Sequence, residues 1–252
     1  MEKAGSLAAR VSREADAVLD AVRNAFPVVC AIVGIESERE GRHVGSAFRV
    51  SAGRKRLLVT AKHVIDEARS APLGAGFVER RGEAPARLLD GPHAMSDAAD
   101  LAVFVLEEVD DASPVLFRAS LFDVDHAARS HDYLFVHGFP GERARFLFGE
   151  SHHRSLPYGV MERDDDLPAD TKPFEFAMDY DPKNISSDAT LVMPPGLSGS
   201  PVWRVGAYRH KPEEWSPSAS RLVGVVTRYN HDKRVLLATE ISVLDELIQR
   251  LA

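Results

Sequence analysis

The chain has 252 residues, 44% of them hydrophobic and 27% charged, an ordinary globular composition with enough apolar material for one large domain or two small ones packed together. Its formal net charge is −7, and no Lys/Arg cluster is interleaved with aromatics, so nucleic-acid binding has no electrostatic support. No apolar run approaches the roughly 18 residues of a membrane span, Met1 to Arg23 carries charges throughout rather than a signal peptide's apolar core, and the single cysteine cannot form an internal disulfide. These features predict a cytoplasmic protein without a membrane partner.

In chain order, Leu7, Val11, Val18, Leu19, Val22 and Phe26 recur at helical spacing, and Pro27 ends the pattern. Residues 1–26 are therefore expected to form an amphipathic helix that packs on the main body. Oligomerisation or contact with a partner are its other uses. From Pro27 the period becomes that of strands. Val28 to Ile35 is a continuous apolar run, and Cys30 within it is expected to be a small buried core residue. Further short strands are predicted at 44–50, 56–60, 76–79, 85–89 and 100–106, separated by Gly, Pro and Asp. Residues 112–131 read as a connection. A second strand-rich half follows, with strands at 133–136, 145–148, 174–178, 201–203 and 222–227, and a turn at His137-Gly138-Phe139-Pro140-Gly141. Asp164-Asp165-Asp166 reads as a solvated loop, with attraction of a basic substrate or a cation as the alternative. The chain closes with Ile241, Leu244, Leu247, Ile248 and Leu251 at helical spacing, and Ser242 with Asp245 resembles a capping box.

Three short motifs carry chemistry. Gly196-Leu197-Ser198-Gly199-Ser200-Pro201 offers a serine on a glycine turn, Thr60-Ala61-Lys62-His63 a histidine after a strand, and Asp100-Leu101-Ala102-Val103 a carboxylate opening one. A serine hydroxyl needs a base within hydrogen-bond reach to act as a nucleophile, and the base needs an orienting acid. Unrelated folds build this triad in different chain orders, and His-Asp-Ser is the order of one of them. On these residues, the chain from about Pro27 to its end resembles a trypsin-like serine protease of the chymotrypsin fold, of the bacterial intracellular type.

The resemblance implies an all-β fold of two six-stranded antiparallel β-barrels with the active site between them, flanked by the N-terminal helix and a C-terminal helix. The protease domain would span 27–252, with the first barrel at 27–118, the second at 130–240 and the helix at 241–252. It implies a serine endopeptidase in which Ser198 is the nucleophile, His63 the general base and Asp100 the orienting acid. Asp97 is the rival acid but lacks the apolar alternation that follows Asp100. The backbone N–H groups of Gly196 and Ser198 would form the oxyanion hole. Val192, Met193 and Pro194 would line one side of the substrate pocket, with Thr227, Arg228 and Tyr229 on the other. No aspartate stands where relatives that cleave after Arg or Lys carry one, and Val226 matches the position of the histidine in glutamate-specific relatives. An apolar, small-to-medium residue is therefore expected in a pocket narrowed by Tyr229.

Two departures stand out. Ser200 replaces a glycine of the commonest motif, a mild change. Leu197 replaces the aspartate that in secreted relatives pairs with a newly cleaved N-terminus, and a leucine cannot make that ion pair. The oxyanion hole is then either preformed, helped by Pro194-Pro195, or set by a partner. Expected partners are a polypeptide substrate and a regulatory protein. No cofactor is implied. His152 and His153 alternate across a strand, and His131, His137, His210 and His231 lack ligand spacing, so no metal is expected either. One other reading remains, a catalytically latent protease-fold binding module that needs a partner. An α/β-hydrolase esterase fails twice: its elbow requires glycine where Ser200 stands, and its histidine should follow the serine, where only His210 and His231 stand, without strand context or a persuasive acid.

Overall fold

The structure, a computed structural model, describes residues 29–79, 86–106, 117–126, 133–147, 150–153, 155–181, 193–204 and 220–251. The expected helix over 1–26 and parts of the 112–131 connection lie outside the described residues. In order the described elements are β1 (Val29–Ile35), β2 (Gly41–Ala52), β3 (Lys55–Ala61), helix α1 (Lys62–Arg69), β4 (Ala75–Glu79), β5 (Arg87–Leu88), β6 (Ala94–Ser96), β7 (Leu101–Val105) and β8 (Phe117–Arg118). They continue with β9 (Tyr133–Gly138), β10 (Ala144–Leu147), β11 (Glu150–His153), β12 (Leu156–Arg163), β13 (Glu175–Asp179), β14 (Pro201–Arg204), β15 (Arg221–Asn230), β16 (Val235–Glu240) and helix α2 (Ile241–Gln249).

The two-barrel plan holds. The second half closes as a six-stranded barrel in the order β12-β13-β16-β15-β14-β9. The first half is a curled sheet of eight strands rather than six, in the order β5-β4-β1-β2-β3-β7-β6 with β8 paired to β2. The short strands β5, β6 and β8 account for the difference. Hairpin β10-β11 stands apart from both sheets.

The continuous apolar run of β1 follows from burial on both faces. Cys30 and Ile32 face the cluster that includes Val64 and Ile65 of α1, while Val29 and Ala31 alternate to face Phe139 of the other half. The largest cluster joins the halves: Phe48, Leu57 and Val103 of the first sheet meet Phe135, Trp203 and Val225 of the barrel, and α2 covers them with Ile241 and Leu244. Each fully buried side chain of this size contributes about 1.5–3 kcal/mol, so the seam between the halves is a core in its own right. The site described below sits on that seam.

The capping box expected at Ser242 and Asp245 does not form. The N-cap of helix α2 lies two residues earlier, at extended Glu240, with no side-chain cap, and Ser242 Oγ instead donates to Glu240 Oε2 at 3.4 Å. Two barrel strands, β12 and β16, lie where no strand was expected. Pro157, Gly159 and Glu162 break the apolar signal of β12. Glu162 is nevertheless buried, where its Oε1 accepts from His126 Nε2 at 3.1 Å. Asp164, Asp165 and Asp166 are all exposed, as a solvated loop requires. No helix of the described residues is long and apolar enough to cross a membrane.

Candidate active site

The register of two strands brings His63 to Asp100. Ala61, the last residue of β3, pairs with Leu101, the first of β7. His63 and Asp100 therefore lie just beyond the same rung. The Asp100 carboxylate spans both donors of His63: Oδ2 meets Nδ1 at 2.6 Å and Oδ1 accepts the backbone N–H at 2.9 Å. A carboxylate acceptor at Nδ1 sets that nitrogen as the protonated one and leaves Nε2 as the basic lone pair. Asp97, the rival acid, is 84% exposed and pairs with Lys62 at 3.1 Å instead.

Ser198 comes from the other half, on the turn that leads into β14. Gly199 N–H donates to Val226 O at 2.7 Å and Ser46 N–H of β2 donates to Ser198 O at 2.8 Å, which pins the turn between both sheets. Gly199 has φ +86°, and a Cβ there would lie 1.9 Å from Ser46 O, so no other residue fits. Ser198, His63 and Asp100 line one cleft of about 370 Å³. In this conformer Ser198 Oγ donates to the carbonyl of Thr227 at 3.2 Å, and no hydrogen bond joins it to His63. Such bonds are commonly long in unliganded sites and tighten when substrate binds.

The turn before Ser198 has a set peptide orientation. Leu197 N–H donates to Pro194 O at 2.9 Å across Pro195 and Gly196, with Gly196 at φ +94°. This is the form with proline at the second position and a left-handed glycine at the third. Gly141 N–H donates to Pro195 O at 2.8 Å. Because the peptide is planar and trans, Gly196 N–H must point away from Gly141. Leu197, where an ion-paired aspartate would stand in secreted relatives, is wholly buried in the barrel cluster with Tyr180 and Val226.

Two residues absent from the sequence reading hold this turn. Ser46 Oγ donates to Gly196 O at 2.7 Å and accepts Phe139 N–H at 2.8 Å. His43 Nε2 donates to Phe139 O at 2.7 Å, and the nearby Gly196 carbonyl also favours the charged ring. Neither lies in a motif, and nothing in the linear sequence joins β2 to residue 196. Burial outweighs the two carbonyls and lowers the His43 pKa to about 4. The ring is thus neutral in the folded protein near neutral pH, while in the unfolded chain it titrates at 6.5. Its contribution to stability is complete above pH 6.5 and is lost as pH falls toward 4, up to about 3 kcal/mol. Chemical denaturation from pH 7 to 4 should show this loss, and His43→Gln should flatten it; equal slopes for the two proteins would refute the assignment.

The pocket expectations divide. Thr227, Arg228 and Tyr229 line the cleft opposite Pro194, together with Val226 and Leu236. Met193 is exposed and is not among the cleft residues. Val192 lies outside the described residues. Tyr229 is fixed by edge-on packing against Tyr180 at 5.9 Å and His231 at 4.7 Å, and its hydroxyl donates to Tyr180 O at 3.4 Å. Arg228 is bound by Glu175 at 2.7 Å and Asp170 at 2.5 Å, and the Glu175 hydrogen bonds push its pKa above the usual value. Its charge is therefore already neutralised. Among the described residues no three His, Cys, Asp or Glu side chains converge as a metal site would require.

No curated protein matches the sequence. Residues 45–207 match the family model of the trypsin-like peptidase domain, a stretch that holds His63, Asp100 and Ser198. With that match over most of the chain and the double-sheet β architecture around the seam, the chain belongs to the trypsin-like peptidase family.

Proposed function

We propose that this protein is a serine endopeptidase that cuts polypeptides through an acyl-enzyme. The single observation that carries the reading is the His63 Nδ1 to Asp100 Oδ2 contact of 2.6 Å in the cleft that also holds Ser198. Ser198 Oγ leaves the Thr227 carbonyl and attacks the scissile carbonyl carbon while His63 Nε2 takes its proton. The oxyanion of the tetrahedral intermediate lies against the N–H groups of Gly196 and Ser198. Such donors are each worth about 3 kcal/mol of transition-state stabilisation. Collapse expels the amine, which takes the proton from His63. Water, deprotonated by the same base, then releases the acid and restores Ser198. Asp100 stays ionised throughout and stabilises the imidazolium.

The Pro194–Leu197 turn supports a hole that exists without a cleaved N-terminus, since its bonds come from Gly141 and Ser46. A cytoplasmic enzyme fits the single cysteine, Cys30, which is buried and cannot form an internal disulfide. A fluorophosphonate probe read by intact mass tests the whole reading. One adduct on the native chain and none on Ser198→Ala supports it. No adduct on the native chain favours the latent binding module, for which the specific observation is the Ser198 hydroxyl turned to Thr227.

The preferred residue before the scissile bond is apolar and small to medium, because Tyr229 lines the cleft and the neighbouring Arg228 is already paired with Glu175 and Asp170. Replacing it by glycine, Tyr229→Gly, should raise kcat/KM for Phe or Leu over Ala at that position by about tenfold or more, within the 10- to 200-fold span of hydrophobic-pocket discrimination. A peptide library with unchanged ranking, or with cleavage mainly after Arg, Lys or Glu, would count against this pocket.

A further inference from the structure

The segment that carries Asp100 is held from both halves of the molecule. Asp100 has φ +53°, a left-handed conformation that Asp tolerates better than most residues but does not favour. From its own half, Lys62 Nζ bridges Asp66 at 2.5 Å and Asp97 at 3.1 Å, and Lys62 N–H donates to Asp100 O at 3.0 Å. From the other half, Thr239 Oγ1 donates to Ala99 O at 2.8 Å and Lys172 Nζ donates to Ala98 O at 2.5 Å. Every residue from Asp97 to Asp100 thus takes a bond, and two of the four reach across the seam.

Lys172 also belongs to a loop with a second attachment. Its own N–H donates to Glu175 Oε2 at 2.9 Å, and Glu175 with Asp170 binds Arg228, the residue beside Thr227 on the wall of the cleft. The ammonium lies 5.7 Å from the Phe174 ring centroid, which further restricts it.

We infer that the 170–175 loop is a strut between the substrate wall and the catalytic acid, and that Lys172 is a positioning residue for Asp100. The inference rests on the peptidase reading for its kinetic consequence, though not for its structural one. The carboxylate must meet both His63 donors at once, and a displacement of about 1 Å in such a constellation costs up to about 100-fold in rate. Without the Lys172 ammonium, the Asp97–Asp100 turn loses its outermost anchor and can relax from the left-handed conformation.

The test pairs kinetics with a signal that does not need turnover. In the full-length protein, Lys172→Met should lower kcat by about 10- to 100-fold with KM changed by less than about twofold. It should also remove or broaden the low-field proton NMR resonance of His63 Nδ1–H. Lys172→Arg, which keeps a donor of similar reach, should restore most of both, and thermal midpoints confirm that all variants fold. If Lys172→Met keeps the native kcat and the native resonance, the inference is wrong and the peptidase reading stands. If the native chain has the resonance but neither turns over peptide nor takes the fluorophosphonate, the peptidase reading fails while loss of the resonance in Lys172→Met still supports the strut.

Discussion

Ser198→Ala is expected to lower peptide hydrolysis by about a millionfold while leaving the thermal midpoint close to that of the native chain. The size follows from removing a nucleophile that acts as a unit with its base, for which losses of about 10^6 in kcat are typical. The stability expectation follows from the side chain's single weak tie, one 3.2 Å bond to Thr227 O, in a half-buried position. Asp100→Asn should cost about 10^4, because an amide in place of the carboxylate holds His63 in the wrong tautomer. Asparagine accepts φ +53° as readily as aspartate, so the fold should survive, whereas Asp100→Val should also destabilise. Steady-state hydrolysis of an unfolded polypeptide, with each variant at matched concentration, measures all three. Activity of Ser198→Ala within a few-fold of the native chain would remove Ser198 from the mechanism.

Gly196→Ala should fail differently, losing both rate and stability. A Cβ at this position would lie 2.6 Å from Gly141 N and Phe139 O and 2.7 Å from His43 Nε2, two of them backbone atoms that cannot swing aside. The φ of +94° adds a backbone penalty of about 1–2 kcal/mol for any L side chain. The turn must therefore shift, and with it the N–H proposed to face the oxyanion. Losing that donor costs about 100- to 1000-fold in kcat. The thermal midpoint should fall by several degrees, since about 1 kcal/mol corresponds to about 2–4 °C in a domain of this size. A Gly196→Ala protein with native kcat would mean that the Gly196 N–H does not serve the transition state.

The two substitutions together separate chemistry from scaffold. Ser198 can be changed without touching packing, whereas Gly196 sits where β2, the Phe139–Gly141 segment and the Pro194–Pro195 turn converge. Leu197 belongs to the same scaffold. Its burial in the barrel cluster draws the turn inward by apolar contact, where secreted relatives of this fold use an ion pair. Lys62 fits the pattern as well: its hydrogen bonds to Asp66, then Asp97, raise its pKa, so it remains a cation that ties the acid's segment to α1.

Much of this molecule is legible in its sequence. The β1 run, the strand leading into His63, the Asp100 strand and the glycine-flanked serine were all placed correctly, because each depends on local signals: apolar runs, turn residues and motif spacing. β12 and β16 were not read. The first is interrupted by Pro157, Gly159 and Glu162, and its place in the barrel comes from pairing with β9 and β13 rather than from its own pattern.

What the residues alone determined is a set of groups: a histidine, a carboxylate and a serine in an order that one fold uses, with too few cysteines for a disulfide framework. These are properties of identity and spacing, and they do not require knowing which segments touch. The tertiary structure decided which residues hold that set in place. Ser46 meets the Gly196 turn from 150 residues away in sequence, and Lys172 reaches Ala98 across 74. Such bonds form only after hydrophobic burial along the seam has brought the two halves together, because no local pattern encodes a contact between segments so far apart.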